Sequence, residues 1–405
     1  MIDDSNNKMT NKNKNTNTDY SDVEAYPVKS FFVEMLTRDI TLSDAILDLL
    51  DNCVDGILRE KETNSLNEQD KPYAEYYANI SYRQNNFQIE DNCGGIPWRL
   101  HNYAFRMGRP TTDRDDKMPT VGVYGIGMKR AIFKIGRHAL LQTQNGRDAY
   151  DVEIAPSWLS DEEQWKIPVT AATEKMTEDG TVLIISELND GAKSLFQDDK
   201  KEFDREFKRK VATQYAFIIR KGFTVRVNGE PIEPRPTEIR FDESDTQESI
   251  RPFVYEDHID GVDIYLAVGF THPIPSEADV SEEQDNRQYS SMDAGWTIVC
   301  NDRAVVYCDR TELTGWGEAG VPKYHTQFIA ITGIVEFRSN DASKLPTTTT
   351  KRGIDASSRL YLKVKNKMRE GLSLFTHFTN QWKGPDLAEE AKDRIRKATP
   401  KSLQE

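Results

Sequence analysis

The sequence predicts a mixed α+β protein with more than one domain. Three features support this class: an amphipathic helix in the first half, strand-like segments on both sides of an acidic Pro-containing stretch, and a second amphipathic helix near the end. The chain has 405 residues, of which 37% are hydrophobic. At roughly 150 residues per domain, this length allows two or three domains with cores of their own.

The first helix is expected to begin at Ser43. Its apolar residues recur at intervals of three and four, which places them on one face: Ala45, Ile46, Leu49, Leu50, Cys53, Val54, Ile57 and Leu58. On the opposite face, Asp48, Asn52 and Asp55 follow one another at i, i+4 and i+7. Their oxygens suit Mg²⁺ and an attacking water. A solvated acidic face is the alternative interpretation.

Strand patterns follow this helix. Residues 78–90 alternate as a hairpin does, and further strands are predicted at 139–144, 149–154, 181–187 and 223–227, with a charged helix over about 197–220. Beyond an acidic stretch at 234–250, strands are predicted at 262–270, 296–308 and 326–337, and a helix over about 356–375.

A short segment with two glycines follows the predicted hairpin. In IEDNCGGI, residues 89–96, Asp91 ends a strand and can accept a hydrogen bond from an exocyclic amine. Gly94 and Gly95 let the backbone approach a flat ligand closely. An ordinary turn explains the same residues equally well.

A second glycine-rich segment leads into a helix. In VGVYGIGMKRAIFKIG, residues 121–136, three glycines precede a helix that contains Lys129 and Arg130. Free backbone N–H groups at a helix N terminus favour phosphate. The segment lacks the GK[ST] ending and the βαβ context of other nucleotide-binding loops.

Together, these segments resemble the GHKL ATPases, the superfamily of gyrase-type topoisomerases, heat-shock chaperones, histidine kinases, MutL and microrchidia proteins. DLLDNCVDG resembles the N box, DNCGGI the Asp-Gly box, AFRMGRP followed by VGVYGIGMKRA the lid and second glycine box, and DGTVLII the last box. The resemblance implies a Bergerat-fold α/β sandwich that binds ATP over residues 19–236.

The resemblance also implies roles for single residues in binding Mg²⁺ and ATP. Asn52 would bind Mg²⁺, Asp91 would bind the adenine amine with help from Thr181 through a water, and Gly95 would lie against the base. Residues 106–121 would form a mobile lid. The other predicted ATP-binding residues are Asp55, Ile96, Gly122, Val123, Tyr124, Gly125, Ile126, Gly127, Met128 and Lys129.

Two positions depart from the family pattern. Asp48 stands where the general base is usually Glu, and its shorter side chain is expected to slow hydrolysis. Cys93 replaces the first glycine of the Asp-Gly box, which the extra Gly94 partly compensates. Neither change removes the expected nucleotide binding.

The second half resembles the ribosomal S5-like transducer domain of topoisomerase, MutL and microrchidia-type members. It is expected over residues 251–384, after a linker at 237–250. In that domain a loop lysine reaches the γ-phosphate, and Lys351 in KLPTTTTKRG is the predicted match, with Lys344 as the alternative. An exposed lysine on an ordinary loop is the simpler interpretation of Lys351.

Composition narrows the possible partners. The formal net charge of −14 disfavours nonspecific binding to nucleic acid or to anionic membranes, although a local basic groove stays possible. No apolar run reaches the roughly 18 residues of a membrane span, and no leader is recognisable, so a cytoplasmic protein is expected.

The four cysteines are expected to be reduced, although Cys300 and Cys308 could face each other across a hairpin. Residues 1–18 are expected to be a disordered tail and 385–405 a charged one.

The function implied by the resemblance is an ATP-gated switch. The chain would bind Mg²⁺ and ATP, form an ATP-dependent homodimer, hydrolyse ATP slowly and act on a protein or DNA partner. A chaperone-like role or a role in phage defence is compatible with the resemblance. The alternatives are a non-catalytic nucleotide-sensing scaffold and a histidine kinase core, and the latter is disfavoured because no phosphoacceptor helix precedes Ser43.

Overall fold

The computed structural model describes residues 28–60, 71–106, 126–198, 201–241, 251–274, 293–348, 353–381, 395 and 398–402. Several predicted segments lie wholly or largely outside this part of the chain: the 1–18 tail, the lid beyond residue 106, Gly122 to Gly125, residues 242–250 of the linker, Lys351, and most of the 385–405 tail. In the described part, no helix is both long and apolar enough to cross a membrane.

The predicted first helix is confirmed. It covers Leu42–Glu60, and its apolar stripe is buried except for the half-buried Leu58. The α-helices of the described residues are α1 (Lys29–Arg38), α2 (Leu42–Glu60), α3 (His101–Phe105), α4 (Gly127–Ile135), α5 (Pro156–Ser160), α6 (Asp190–Phe196), α7 (Glu202–Gln214), α8 (Ala216–Arg220) and α9 (Arg359–Gln381).

The single helix expected over about 197–220 is wrong. Tyr215 separates α7 from α8 with φ −107° and ψ 13°, outside the helical range. Its hydroxyl oxygen lies 3.0 Å from the Leu47 carbonyl oxygen and 2.5 Å from Asp51 Oδ1, so its one proton is shared between these two acceptors. These buried bonds account for the break, because they hold Tyr215 against α2.

The first half builds an eight-stranded sheet with the order β5-β4-β3-β6-β2-β1-β7-β8, in which only β1 and β7 pair in parallel. Its strands are β1 (Tyr77–Tyr82), β2 (Asn86–Asp91), β3 (Gly136–Asn145), β4 (Asp148–Ile154), β5 (Val169–Ala171), β6 (Gly180–Leu188), β7 (Thr224–Val227) and β8 (Glu230–Pro231). The predicted hairpin and the four predicted strands are confirmed, whereas β5 and β8 were not predicted.

Helices cover this sheet and close its core. Leu50 and Ile57 of α2, Ile132 of α4 and Phe207 of α7 are buried in one apolar cluster with the inward side chains of the strands, such as Ile185. This arrangement of helices on a mixed sheet is an α/β sandwich.

The second half builds a five-stranded sheet with the order β10-β11-β14-β12-β13, packed against α9. Its strands are β10 (Phe253–Ile259), β11 (Val262–Phe270), β12 (Gly295–Cys300), β13 (Arg303–Asp309) and β14 (Ile331–Arg338). The strand expected at 296–308 is a hairpin instead, because Asn301 and Asp302 adopt positive φ and turn the chain. All four cysteines are free, so the prediction of reduced thiols is confirmed and a Cys300–Cys308 bridge is excluded.

A small third sheet joins two distant parts of the chain. β9 (Glu238–Phe241), in the stretch expected to be a linker, pairs antiparallel with β15 (Thr399–Ser402), in the expected C-terminal tail. The Arg240 guanidinium strengthens the junction by donating to the Ala398 carbonyl at 2.9 Å. At least this end of the tail is therefore tied to the body of the protein.

Candidate nucleotide site

The polar residues of α2 do not form a solvated acidic face. Asp48, Asp51 and Asp55 are 8%, 3% and 3% exposed, whereas Asn52 is exposed. Buried carboxylates need polar or cationic partners, because an unpaired buried charge is costly. The burial therefore places these acids in contacts within the protein and leaves the Asn52 amide accessible to a ligand.

Asp48 contacts the start of α4. Arg130 donates to Asp48 Oδ2 from Nη2 (2.6 Å) and from Nε (3.2 Å). A Cβ on Gly127 would lie 3.5 Å from the Asp48 side chain, so the first residue of α4 is also close to this carboxylate. The predicted general base thus lies where the N terminus of α4 favours a phosphate group.

Asp91 ends β2, and its side chain is buried. Its Oδ1 accepts a hydrogen bond from the Cys93 backbone N–H (2.8 Å), and its Oδ2 accepts one from the Cys53 thiol (3.5 Å). Burial raises the pKa of Asp91 to about 6, and the hydrogen bonds from Cys93 and Cys53 partly oppose this rise. A carboxylate held in this way is a strong acceptor for an N–H group of a ligand.

Glycine is required beside this carboxylate. Gly95 has φ +63°, and a Cβ there would lie 2.0 Å from the Gln144 carbonyl oxygen. Gly56 on α2 is equally restricted, since its Cβ would lie 2.2 Å from the Cys93 carbonyl oxygen. These close approaches fix the Asp-Gly box against both α2 and β3.

Thr143 of β3 connects the remaining groups of the pocket. Its hydroxyl accepts a hydrogen bond from the Ile96 N–H (2.8 Å) and lies 3.1 Å from the Gly180 carbonyl and 3.3 Å from the Thr181 hydroxyl. Thr181 itself is the β6 residue directly opposite Asp91 on β2. The predicted residues Asp91, Gly95, Ile96 and Thr181 are therefore brought together.

The described part of the phosphate segment has two kinds of position. Ile126, Gly127 and Met128 are partly exposed at the start of α4. Lys129 is 1% exposed, and its ammonium donates to the Ala104 carbonyl of α3 at 2.6 Å. Its contact with a phosphate stays a prediction, and in this conformation the lysine ties α4 to the segment that precedes the expected lid.

Two lysines of the second half, Lys351 and Lys344, are the predicted contacts to the γ-phosphate. Lys351 lies outside the described residues, whereas Lys344 is exposed in a short 3₁₀ turn next to the β10–β11 connection, where a Cβ on Gly261 would lie 2.9 Å from its Nζ. No group of three or more His, Cys, Asp or Glu side chains among the described residues is placed to hold a metal ion. Asn52 stays the predicted protein ligand for Mg²⁺, as the family resemblance implies.

Some residues of the site were missed by the sequence reasoning. Arg130 was noted only as a cation near phosphate, although it holds Asp48 from 82 positions away. Thr143 lies outside the quoted boxes, whereas Gly180 lies in DGTVLII but was given no role. A Cβ on Gly180 would lie 2.0 Å from the Asp91 carbonyl oxygen, so the glycine in DGTVLII was the available signal for this contact.

The residues present fit a purine nucleotide. The site offers a carboxylate acceptor at Asp91 and the hydroxyls of Thr143 and Thr181 beside it, which suit a group that carries an amine. α2 contacts this pocket through Cys53 and the start of α4 through Asp48. A base and its phosphates would therefore lie along one helix.

Comparison with known proteins agrees with this geometry. Residues 40–182 match the family described as histidine kinase-, DNA gyrase B- and HSP90-like ATPase. No curated protein sequence matches the chain. The matched range covers α2, the Asp91 pocket, α4 and the first residues of β6, and residues 40–182 of this chain are therefore a GHKL-type ATPase domain.

Proposed function

We propose that the protein binds ATP with Mg²⁺, hydrolyses it slowly and uses the cycle as a conformational switch. The observation that carries the proposal is the contact of α2 with both the Asp91 pocket and the Asp48–Arg130 pair at the start of α4. An acceptor for adenine at the end of β2 and a carboxylate near the phosphates on α2 are thereby held in fixed positions about the same helix.

Each residue has a role in this proposal. Asp91 accepts a hydrogen bond from the adenine amine, while Thr143 and Thr181 bind the base edge directly or through water. Asn52 supplies an oxygen ligand to Mg²⁺, which would neutralise phosphate charge. The N–H groups at the start of α4 bind phosphate oxygens, since no earlier carbonyl in the helix uses them.

Asp48 acts as the general base for hydrolysis. Its carboxylate takes a proton from a water that attacks the γ-phosphorus, the bond to the bridging oxygen breaks, and ADP and inorganic phosphate leave. Arg130 holds the carboxylate in place by donating to its Oδ2. Slow turnover follows from the aspartate side chain, which is one methylene shorter than glutamate and reaches less far toward the attacking water.

The second half converts nucleotide state into movement. We assign residues 251–384 to a transducer-like domain, supported by the five-stranded sheet packed against α9. Lys351 would contact the γ-phosphate and hold this domain closed only while that phosphate is present. Two ATP-bound chains would then associate into a clamp on a protein or DNA partner, in a chaperone-like or antiviral role.

Hydrolysis tests the catalytic part of the proposal. We expect Asp48→Asn to lower the steady-state rate of phosphate release by about 10²-fold or more, with little change in the Kd for ATP, because the isosteric amide cannot take a proton. Asp44→Asn, one turn earlier on α2, is the matched control and should keep the wild-type rate. Background phosphate release from wild type and Asp48→Asn, with intact ATP binding in both, would instead identify a non-catalytic nucleotide sensor.

Solution scattering tests the switch. A non-hydrolysable ATP analogue with Mg²⁺ should double the mass of the wild-type particle and reduce the distance between its domains, whereas ADP should not. Unchanged mass and shape with saturating analogue would refute ATP-gated closure. The proposal that the protein binds ATP would still stand.

A further inference from the structure

The second half of the chain reaches into the nucleotide-binding helix. Arg303, the first residue of β13, contacts Asp51 of α2, with Nε 2.5 Å from Oδ1 and Nη2 3.3 Å from Oδ2. Both side chains are 5% exposed. The pair is thus a buried, two-point ionic contact between the five-stranded sheet and the N-box helix.

Neighbouring groups hold the Arg303 side chain in one orientation. Its guanidinium lies 4.7 Å from the centre of the Tyr215 ring, and its Nη1 lies 3.2 Å from the Gln214 side-chain oxygen. The Tyr215 hydroxyl donates to the same Asp51 carboxylate at 2.5 Å. Asp51 therefore has two fixed donors, one from the break between α7 and α8 and one from β13, and its rotation is restricted.

The position of Asp51 in the sequence gives this contact its consequence. On α2 it immediately precedes Asn52, the predicted Mg²⁺ ligand, and lies almost one turn after Asp48. A rigid grip on Asp51 fixes the rotation of this turn of the helix, and with it the direction of the Asn52 amide. Such indirect support of a metal ligand commonly affects metal affinity by 10- to 100-fold, an order-of-magnitude range.

A second ion pair crosses the same junction without touching α2. Lys221, just after α8, binds Asp302 in the β12–β13 turn with its Nζ 2.6 and 2.7 Å from the two carboxylate oxygens. Apolar side chains also bridge α8 and the second sheet, namely Ala216, Phe217, Ile239, Ala267, Val299, Ala304 and Ile334. Several contacts therefore hold the junction together. Of the two ion pairs described here, the one made by Arg303 reaches the N-box helix.

We propose that Arg303 is a positioning residue for the nucleotide site. Through Asp51 it sets the N-box turn so that Asn52 faces the Mg²⁺ and phosphates, and it makes the affinity for magnesium and nucleotide depend on the docking of the second sheet. The Asp91 carboxylate stands on β2, opposite Thr181 of β6, and its side chain meets α2 through the long 3.5 Å contact of the Cys53 thiol, so it depends less on the grip on Asp51 than Asn52 does. The inference rests on the proposed function, because it concerns the same site.

The test compares two variants of the full chain that each remove one cation from the junction. Arg303→Met loses the contact with α2, and Lys221→Met loses only the contact with Asp302. Two probes are titrated into each protein: a non-hydrolysable ATP analogue with Mg²⁺, and ADP with a chelator. Hydrogen exchange of residues 44–56 is measured in parallel without nucleotide, because it reports on α2 whether or not ATP binds.

Arg303→Met should weaken binding of the magnesium-bound analogue about tenfold or more and leave ADP without Mg²⁺ within about twofold, and it should speed exchange in residues 44–56. Lys221→Met should change none of these values appreciably. Arg303→Lys should fall between wild type and Arg303→Met, since a lysine keeps the charge but not the two-point contact.

Equal losses for both probes, or equal losses in both variants, would overturn the positioning role in favour of general loosening of the fold. Wild-type protein that binds neither probe would overturn the proposed function. In that case, unchanged exchange of residues 44–56 in Arg303→Met would also overturn the inference, and selective acceleration would support it.

Discussion

The free energy of unfolding of Asp91→Asn, measured relative to wild type without nucleotide, should be higher at pH 7 than at pH 5. Burial raises the pKa of this carboxyl from 3.8 to about 6, so the folded state holds its proton more tightly than the unfolded chain does. The stability that this proton contributes is full below pH 3.8 and is lost as pH rises through about 6.

The magnitude follows from that pKa difference. At pH 7, keeping the ionised carboxylate buried costs the wild type about 3 kcal/mol relative to low pH, whereas at pH 5 the cost is about 1.5 kcal/mol. Asparagine has nearly the same size, keeps an oxygen for the Cys93 N–H, and does not titrate. The stability of the variant relative to wild type should therefore rise by about 1.5 kcal/mol between pH 5 and pH 7.

Urea unfolding of both proteins at the two pH values measures this difference, with any constant effect of the substitution cancelling. The same variant should lose ATP binding, because an amide N–H₂ would face the amine of adenine. A stability difference that stays constant with pH, or that falls as pH rises, would refute the account of Asp91 as a buried carboxylate with a raised pKa.

Three further variants test separate contacts. Gly95→Ala should abolish ATP binding and destabilise the fold by about 2 kcal/mol or more, because its Cβ would overlap the carbonyl of residue 144. A nucleotide titration and a thermal melt measure these two effects, and wild-type affinity would contradict the prediction. Arg130→Gln should lower the free energy of unfolding by about 1 to 3 kcal/mol, since the buried Asp48 carboxylate loses two charge-assisted bonds. Urea unfolding measures this loss, and Arg137→Gln, which replaces an exposed arginine, should not show it. Gly371→Ala should destabilise the second sheet by about 1 to 3 kcal/mol, because the Cβ would lie 2.3 Å from Val268, yet leave ATP affinity unchanged in the same titration.

The regular elements near the site were predictable from the sequence. Their apolar residues repeat with the period of one helix face in α2 or of one strand face in β2 and β6, and burial of that face determines the element. The order of the boxes also located Asp91 and Gly95. Each residue type is required by its near surroundings, since the Asp91 carboxylate accepts the Cys93 N–H and a Cβ on Gly95 would overlap the Gln144 carbonyl.

The breaks and long-range contacts were not predictable in the same way. The helical spacing of Phe203, Phe207 and Val211 continues smoothly through Tyr215, and only its buried bonds to α2 end the helix there. The Arg303–Asp51 pair joins residues 252 positions apart. A charged residue in a sequence gives no sign of which distant charge it will meet, and most such residues lie at the surface.

The most direct measurement of the central claim is a calorimetric titration of the full chain with a non-hydrolysable ATP analogue and Mg²⁺. The account predicts saturable binding of one nucleotide per chain to the wild type and no detectable binding to Asp91→Asn under the same conditions. Absence of binding to the folded wild type, or equal affinity in the variant, would contradict it.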